Sequence, residues 1–191
     1  MTAQERKERE RAQRRQAIID SARELAESDG WEAVTVRRLA DRIEYSQPVL
    51  YSHFSGKRAI VSAVAEQGFA QLGRVLHAAR VGASGPGAAM EAMARAYLDF
   101  ASGNPALYEA MFVLDTELVF GPDAPEALRT SFGELEQLFI DKVGAAESGA
   151  YTEVFWSAVH GMAELDRGGR LRPDLVEQRM RVLMRWGEHR D

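Results

Sequence analysis

The sequence predicts an all-α fold, and three observations carry that expectation. Apolar residues recur at spacings of three and four in every long segment, which places them on one side of a helix. Gly, Pro and Asn-containing pairs punctuate those segments at Asp29-Gly30, Gly82 to Gly87, Asn104-Pro105, Gly121 to Pro125 and Gly168-Gly169. No stretch alternates apolar and polar residues convincingly as a strand would, and no repeat is present. With 191 residues and 46% hydrophobic content, the chain is long enough to bury a substantial core.

Taken in order, Met1 to about Arg11 is polar and charged. Two readings stand for it: a frayed, solvated helix start or an arm that tracks DNA. Ile18, Ala22, Leu25 and Ala26 then mark a helix face that stops at Asp29-Gly30, and Trp31 and Val34 anchor the connection. Thr35 is placed as an N-cap for a helix burying Val36, Leu39, Ala40 and Ile43. A tight turn at Glu44-Tyr45 leads to a second short helix, with Ser46 as its cap and Pro48 in its first turn. There Leu50 and Phe54 bury, while Gln47, Pro48, Tyr51 and Ser52 stay exposed.

From Lys57 a long helix carries Ile60, Val61, Val64, Phe69, Leu72 and Leu76. Its break at Gly82 to Gly87 has neither the spacing of a phosphate loop nor a preceding strand, so it reads as a linker. Met90, Met93, Ala94, Tyr97 and Leu98 mark the next helix, and Ala106 to Phe112 a short one. Leu128, Phe132, Leu135 and Phe139 lie on one helix face. Tyr151, Val154, Phe155, Ala158, Val159 and Met162 form a wide stripe on another, and Val176, Met180, Leu183 and Trp186 mark the last.

Charge is unevenly spread. The total is acidic, with 29 Asp/Glu against 24 Lys/Arg, yet residues 6–15 alone hold six basic and two acidic side chains. Polarisation of this kind is expected if only the N-terminal end meets phosphates. The absence of cysteine excludes disulfides, thiol nucleophiles and Cys-based metal sites. The four histidines have no metal spacing, and no catalytic motif is found, so neither enzyme chemistry nor a metal or cofactor is expected. No apolar run approaches the roughly 18 residues of a membrane span, and the expected location is the cytoplasm.

The stretch Thr35 to Lys57 has the layout of a helix-turn-helix unit, and its end offers Tyr51, His53 and Lys57 to an anion. A helix in the major groove must show small or polar groups outward and be clamped to the backbone. Gln47 suits adenine N6/N7, and Pro48 offers apolar contact only. His53 either touches phosphate or supports its neighbours, and Tyr51 either donates to phosphate or packs beside Leu50. For Arg37, Arg38 and Arg42 a solvated helix face is the competing reading, stronger for Arg42 than for Arg37.

Ile18-x-x-x-Ala22-x-x-Leu25, Gly30, Thr35-Val36-Arg37, Leu39-Ala40 and Leu50-Tyr51-x-His53-Phe54-x-x-Lys57 together resemble the TetR/AcrR-type transcriptional repressors. Asn104-Pro105-Ala106-Leu107-Tyr108, Met111-Phe112 and Trp156-x-x-x-His160-Gly161 resemble its subgroup with a W-H-G signature in the ligand domain. The resemblance implies an arm and DNA-binding domain over residues 1–56 and a ligand-binding and dimerisation domain over 57–191. It implies a homodimer that binds double-stranded operator DNA and represses until a small-molecule effector binds. An activator, a ligand-independent regulator and, remotely, a helical-bundle enzyme are the alternatives.

Carried over by position, Arg37, Gln47 and Pro48 match base or groove contacts, and Thr35, Tyr51, His53 and Lys57 match phosphate contacts. Tyr97, Phe100, Tyr108, Met111, Phe112, Trp156 and His160 are the ligand candidates, with core packing the competing role for each. Tyr151, Phe155, Val159, Leu175, Val182 and Trp186 are the candidates for the dimer seam, because helices apolar around most of their circumference need burial on two sides. Glu44 stands where the family usually has glycine. A left-handed residue there costs roughly 1 kcal/mol or more, so another turn conformation is expected.

Overall fold

The computed structural model describes residues 2–188, with side chains through residue 185. The described residues form ten α-helices and two 3-10 turns, with no strand among them. The helices are α1 (Ala3–Asp29), α2 (Val36–Arg42), α3 (Gln47–Tyr51), α4 (Lys57–Val81), α5 (Pro86–Gly103), α6 (Pro105–Phe112), α7 (Glu126–Glu136), α8 (Ile140–Val143), α9 (Ser148–Arg167) and α10 (Val176–Glu188).

The chain divides into two compact units, Met1–Gly68 with Asn104–Pro125, and Phe69–Gly103 with Glu126–Asp191. The first half of α4, through Gly68, and all of α6 thus pack with the N-terminal helices. Hydrogen bonds from α1 and the following turn to α6 supply the reason. Glu27 accepts from the Ala106 and Leu107 N–H groups at 3.1 Å each, Trp31 Nε1 donates to the Ala106 carbonyl at 2.8 Å, and Arg23 donates to Asn104 Oδ1 at 2.8 Å. Gly68 lets α6 approach α4, since a Cβ there would collide with the Met111 side chain.

In this first unit α1 is helical from Ala3, so the arm is no frayed start. Thr2 and Glu5 close a reciprocal capping box at its beginning. The helix stops at Gly30, whose φ of 79° suits glycine. Ile18, Ala22, Leu25, Leu39, Leu50 and Phe54 are buried as expected, whereas Val36 and Ile43 are only half-buried. Ile43 lies at the C-cap of α2, where the helix is already turning away from the core.

In the second unit, α5 and α9 pack together, and Met93 and Tyr97 of α5 and Phe155, Val159 and Ala163 of α9 are all buried. Arg95 of α5 donates to both Glu177 oxygens at 2.9 and 2.7 Å, which fastens α10. Two outcomes differ from expectation. The helix through Phe139 ends at Glu136, because Leu138 and Phe139 bond back three residues and tighten the last turn before α8. On α9 and α10, Val154 and Val176 are exposed, since Phe155, Val159, Met180 and Leu183 already fill the inward faces.

Candidate nucleic-acid interface

The helix-turn-helix is built by caps and one unusual turn. Thr35 begins α2 with its hydroxyl accepting from the Arg38 N–H at 3.2 Å. After Arg42 the chain passes Ile43 and enters the left-handed region at Glu44, φ 56°, and the Tyr45 N–H returns to the Ala40 carbonyl at 3.0 Å. This bond is the one that closes a Schellman stop. The expectation of a different turn is thus overturned: Glu44 adopts the conformation that glycine would, with the returning Tyr45 N–H closing the turn on the Ala40 carbonyl. Among the described residues it is the one non-glycine residue with positive φ.

Ser46 occupies the N-cap of α3, although its side chain makes no capping bond. Leu50 and Phe54 are buried beneath that helix, which turns Gln47, Pro48 and Tyr51 outward, with Tyr51 56% exposed. Of the two readings for Tyr51, the packed one is therefore not the conformation seen.

The three arginines of α2 separate by partner. Arg38 pairs with Asp29 at 2.7 Å and Arg42 with Glu24 at 3.1 Å, so both tie α2 to α1. The Arg38 guanidinium, hydrogen-bonded to it, holds the Asp29 carboxyl below its ordinary range. Arg37 has only Asp41 at 4.0 Å on its own helix, with its side chain 82% exposed. An exposed pair at that distance contributes little, and Arg37 is the member of the three that stands furthest into solvent.

The clamp candidates are arranged less uniformly. Thr35 is exposed; His53 is half-buried, with its pKa lowered chiefly by that burial and further by Arg11, Arg14 and Arg15 of α1. Lys57 begins α4 and donates to the Trp31 carbonyl, which takes one of its three ammonium hydrogens. Sequence reasoning missed the contact that α1 makes with Phe54. Arg15 places its guanidinium 4.4 Å from the centre of the Phe54 ring, and nothing in local spacing announces that contact.

The ligand candidates fall into separate groups. In the second unit Trp156 Nε1 donates to the Tyr97 hydroxyl, and Tyr97 meets His160 Nδ1, each at 3.1 Å. Phe100 is buried in the same unit. In the first unit Tyr108 and Met111 are buried, and Phe112 stacks at an angle on Tyr108, ring centres 4.7 Å apart.

The seam candidates also separate. Phe155 and Val159 are core residues of this chain, 6% and 1% exposed, and are already covered without a second copy. Tyr151 is half-buried against Phe139. Leu175 and Val182 line an apolar groove between α9 and α10 with Ala158 and Met162. Trp186 lies on α10 beyond the described side chains.

Among the described residues no helix is long and apolar enough to cross a membrane, and no group of three metal-ligating side chains is gathered. Residues 18–64 match the model for bacterial regulatory proteins of the tetR family, and residues 90–185 match that for the tetracyclin repressor-like C-terminal domain. The chain is 50% identical over 52 residues to the class C tetracycline repressor protein of Escherichia coli, covering 27% of this chain and 24% of that protein. It is 34% identical over 93 residues to the uncharacterized HTH-type transcriptional regulator YobS of Bacillus subtilis, covering 49% and 48%. The chain thus spans about a quarter and about half of these relatives. A solved structure of a protein of unknown function from Rhodococcus sp. RHA1 superposes with a TM-score of 0.72 at 25% identity, covering 90% of this chain and 93% of that one. These matches span the helix-turn-helix and more than half of the remaining chain: the protein belongs to the TetR family of bacterial transcriptional regulators, a family of DNA-binding proteins and not of enzymes.

Proposed function

We propose that this protein is a homodimeric, effector-responsive repressor that reads an operator of inverted symmetry in the cytoplasm. The carrying observation is the face of α3. Gln47, Pro48 and Tyr51 stand outward over a floor of buried Leu50 and Phe54, so the helix can enter a major groove without uncovering the core. Gln47 supplies the bidentate amide suited to adenine, Pro48 an apolar surface, and Arg37 an exposed cation on α2. Thr35, Tyr51, His53 and Lys57 surround that face as phosphate contacts.

One such helix is short, and a second copy would double the reading length at half-sites spaced by the DNA turn. The groove between α9 and α10 supports the pairing. A second copy laid on Leu175, Val182, Ala158 and Met162 would cover apolar surface that the single chain leaves open. The class C relative is named a tetracycline repressor, which supports repression relieved by a small molecule.

The link to an effector runs through α6, because its first turn is held by α1 of the reader unit. An effector that prefers a conformer with α6 displaced would draw Glu27, and with it α1, away from the DNA-competent arrangement. Tyr97, His160 and Trp156 offer a polar relay for an effector in the second unit. Selection of bound duplexes from a random pool, followed by footprinting across salt concentrations, tests the reading. A symmetric protected site with steep salt dependence is expected. Failure to enrich any sequence would overturn it, and a reporter gene activated from the selected site would replace repression with activation.

A further inference from the structure

Beyond Ile18 the buried stripe of α1 has no core left to face, yet the same face continues with a consistent chemistry. Counting back from Ile18 by four, seven and eleven residues gives Arg14, Arg11 and Lys7, and by three gives Arg15. At 3.6 residues per turn these four share the side of the helix that carries Ile18, Ala22 and Leu25. Glu5, Glu8 and Glu10 fall on its flanks and back. The segregation is therefore sharper than the composition of the arm suggests.

The ridge is preformed. Thr2 and Glu5 cap it, Gln4 bonds to Glu8, and Gln16 bonds to Asp20 at 2.7 Å, so an exposed helix holds its shape without a core. Its direction is fixed as well. Arg15 rests on Phe54, directly after His53, and Arg11, Arg14 and Arg15 act electrostatically on His53. These cations thus lie on the side of the unit where the reader presents a phosphate-contact candidate. Lys7, Arg11 and Arg14 form no ion pair among the described residues, in contrast to Arg38 and Arg42, whose charges are met by α1 carboxylates. A row of unpaired like charges repels itself in the free protein, and an anionic partner relieves the repulsion.

We propose that Lys7, Arg11 and Arg14 form a second DNA-contacting ridge that lies along the phosphate backbone of duplex DNA flanking the half-site read by α3. Residues 7 to 14 rise about 10 Å along the helix, so the ridge reaches two or three successive phosphates and adds affinity without reading bases. The inference rests on the regulator reading above. It adds a positively charged contact surface outside the helix-turn-helix itself.

The test compares two double variants of equal charge in the full chain. Arg11→Ala/Arg14→Ala strips the ridge, whereas Arg6→Ala/Arg9→Ala strips the same charge from the other sides of the helix. The probe is the duplex enriched by the unaltered protein, in one form trimmed to the protected half-sites and in another extended by ten base pairs at each end. On the extended duplex the ridge variant is expected to bind on the order of tenfold more weakly, and its salt slope to fall by about 0.9 for each lost phosphate contact. On the trimmed duplex its deficit should shrink, and the control pair should stay close to the unaltered protein on both. Equal losses for both pairs would show a general charge effect and overturn the proposal, as would no loss for the ridge pair. If the unaltered protein enriches no duplex, the regulator reading itself fails and the ridge falls with it. Circular dichroism of each variant confirms that helix content is retained.

Discussion

Glu27 of α1 closes the open N-terminus of α6 by accepting from the backbone of Ala106 and Leu107, each at 3.1 Å. Asn104 occupies the N-cap position of that helix but makes no side-chain capping bond there. A carboxylate 79 residues upstream does the work, and it also suits the positive end of the helix dipole. Loss of a cap of this kind costs about 0.5–2 kcal/mol. Glu27→Ala is expected to lower the melting temperature by several degrees, and Glu27→Gln, which keeps one acceptor, by less. If α6 conveys the effector signal, Glu27→Ala also weakens induction in a reporter assay while operator binding without effector persists. Equal induction would show that the signal travels elsewhere.

Glu44 keeps a left-handed backbone, φ 56°, that glycine adopts at less steric cost. Glu44→Gly removes roughly 1 kcal/mol of strain, partly offset by the greater freedom that glycine gives the unfolded chain. A gain of about 1–3 °C in melting temperature is expected. Glu44→Val, whose branched Cβ resists this conformation, should lose more than Glu44→Gly gains. A stabilised Val variant would mean that the turn is not left-handed in solution.

The contrast between Glu44 and Glu27 shows what the sequence disclosed and what it withheld. Helix spacing located nearly every element, since apolar periodicity is a local property, and Thr35, Leu50 and Phe54 stand where that spacing places them. Glu44 was legible as a departure, but its conformation was not, because the Tyr45 to Ala40 bond and the surrounding core decide it. Glu27 gave no local signal at all: a charged residue on an exposed turn of α1 becomes a cap only when the fold brings α6 to it. The same limit applies to Phe155 and Val159, whose apolarity was clear but whose burial inside one chain depends on where α5 and α7 pack against α9.

His160 meets the Tyr97 hydroxyl through Nδ1, and its pKa is lowered chiefly by burial, with the Glu164 charge opposing the shift. The tautomer protonated on Nε2 lets Tyr97 donate to Nδ1 while accepting from Trp156. An unfolded histidine takes its proton near pH 6.5, whereas the folded one resists it to lower pH. Folding therefore excludes a proton in that window, and stability is full above about pH 6.5 and declines as pH falls toward the folded value. His160→Gln should flatten this part of the pH dependence of thermal unfolding. An unchanged decline would assign it to other groups.

Val182 is 52% exposed on the groove between α9 and α10. A charge there costs the single chain little, since the side chain already faces water, but it would be desolvated in a dimer seam. Val182→Glu is expected to shift the mass seen by sedimentation from dimer toward monomer while the melting profile of the monomer stays close to that of the unaltered chain. Operator affinity falls with it, because two half-sites are no longer read by one particle. A variant that remains dimeric would move the seam to another face.

Gln47 and Lys57 occupy opposite ends of the reader and should fail differently. Gln47 stands exposed at the first turn of α3, where an amide can pair with one base edge. Removing it costs about 1–3 kcal/mol against the preferred base and relaxes choice at one position in each half-site. Lys57 starts α4 with one ammonium hydrogen on the Trp31 carbonyl, so Lys57→Ala removes both the proposed phosphate contact and an internal tie. All duplexes should then bind more weakly by a similar factor, with the salt slope reduced by about 0.9. Lys57→Arg separates the two effects: it restores the charge, and recovery of the salt slope without recovery of thermal stability would assign the phosphate contact to the charge and the stability to the Trp31 bond. Retained sequence preference in Gln47→Ala would remove Gln47 from the reading set and leave Arg37 as the remaining base reader able to hydrogen-bond.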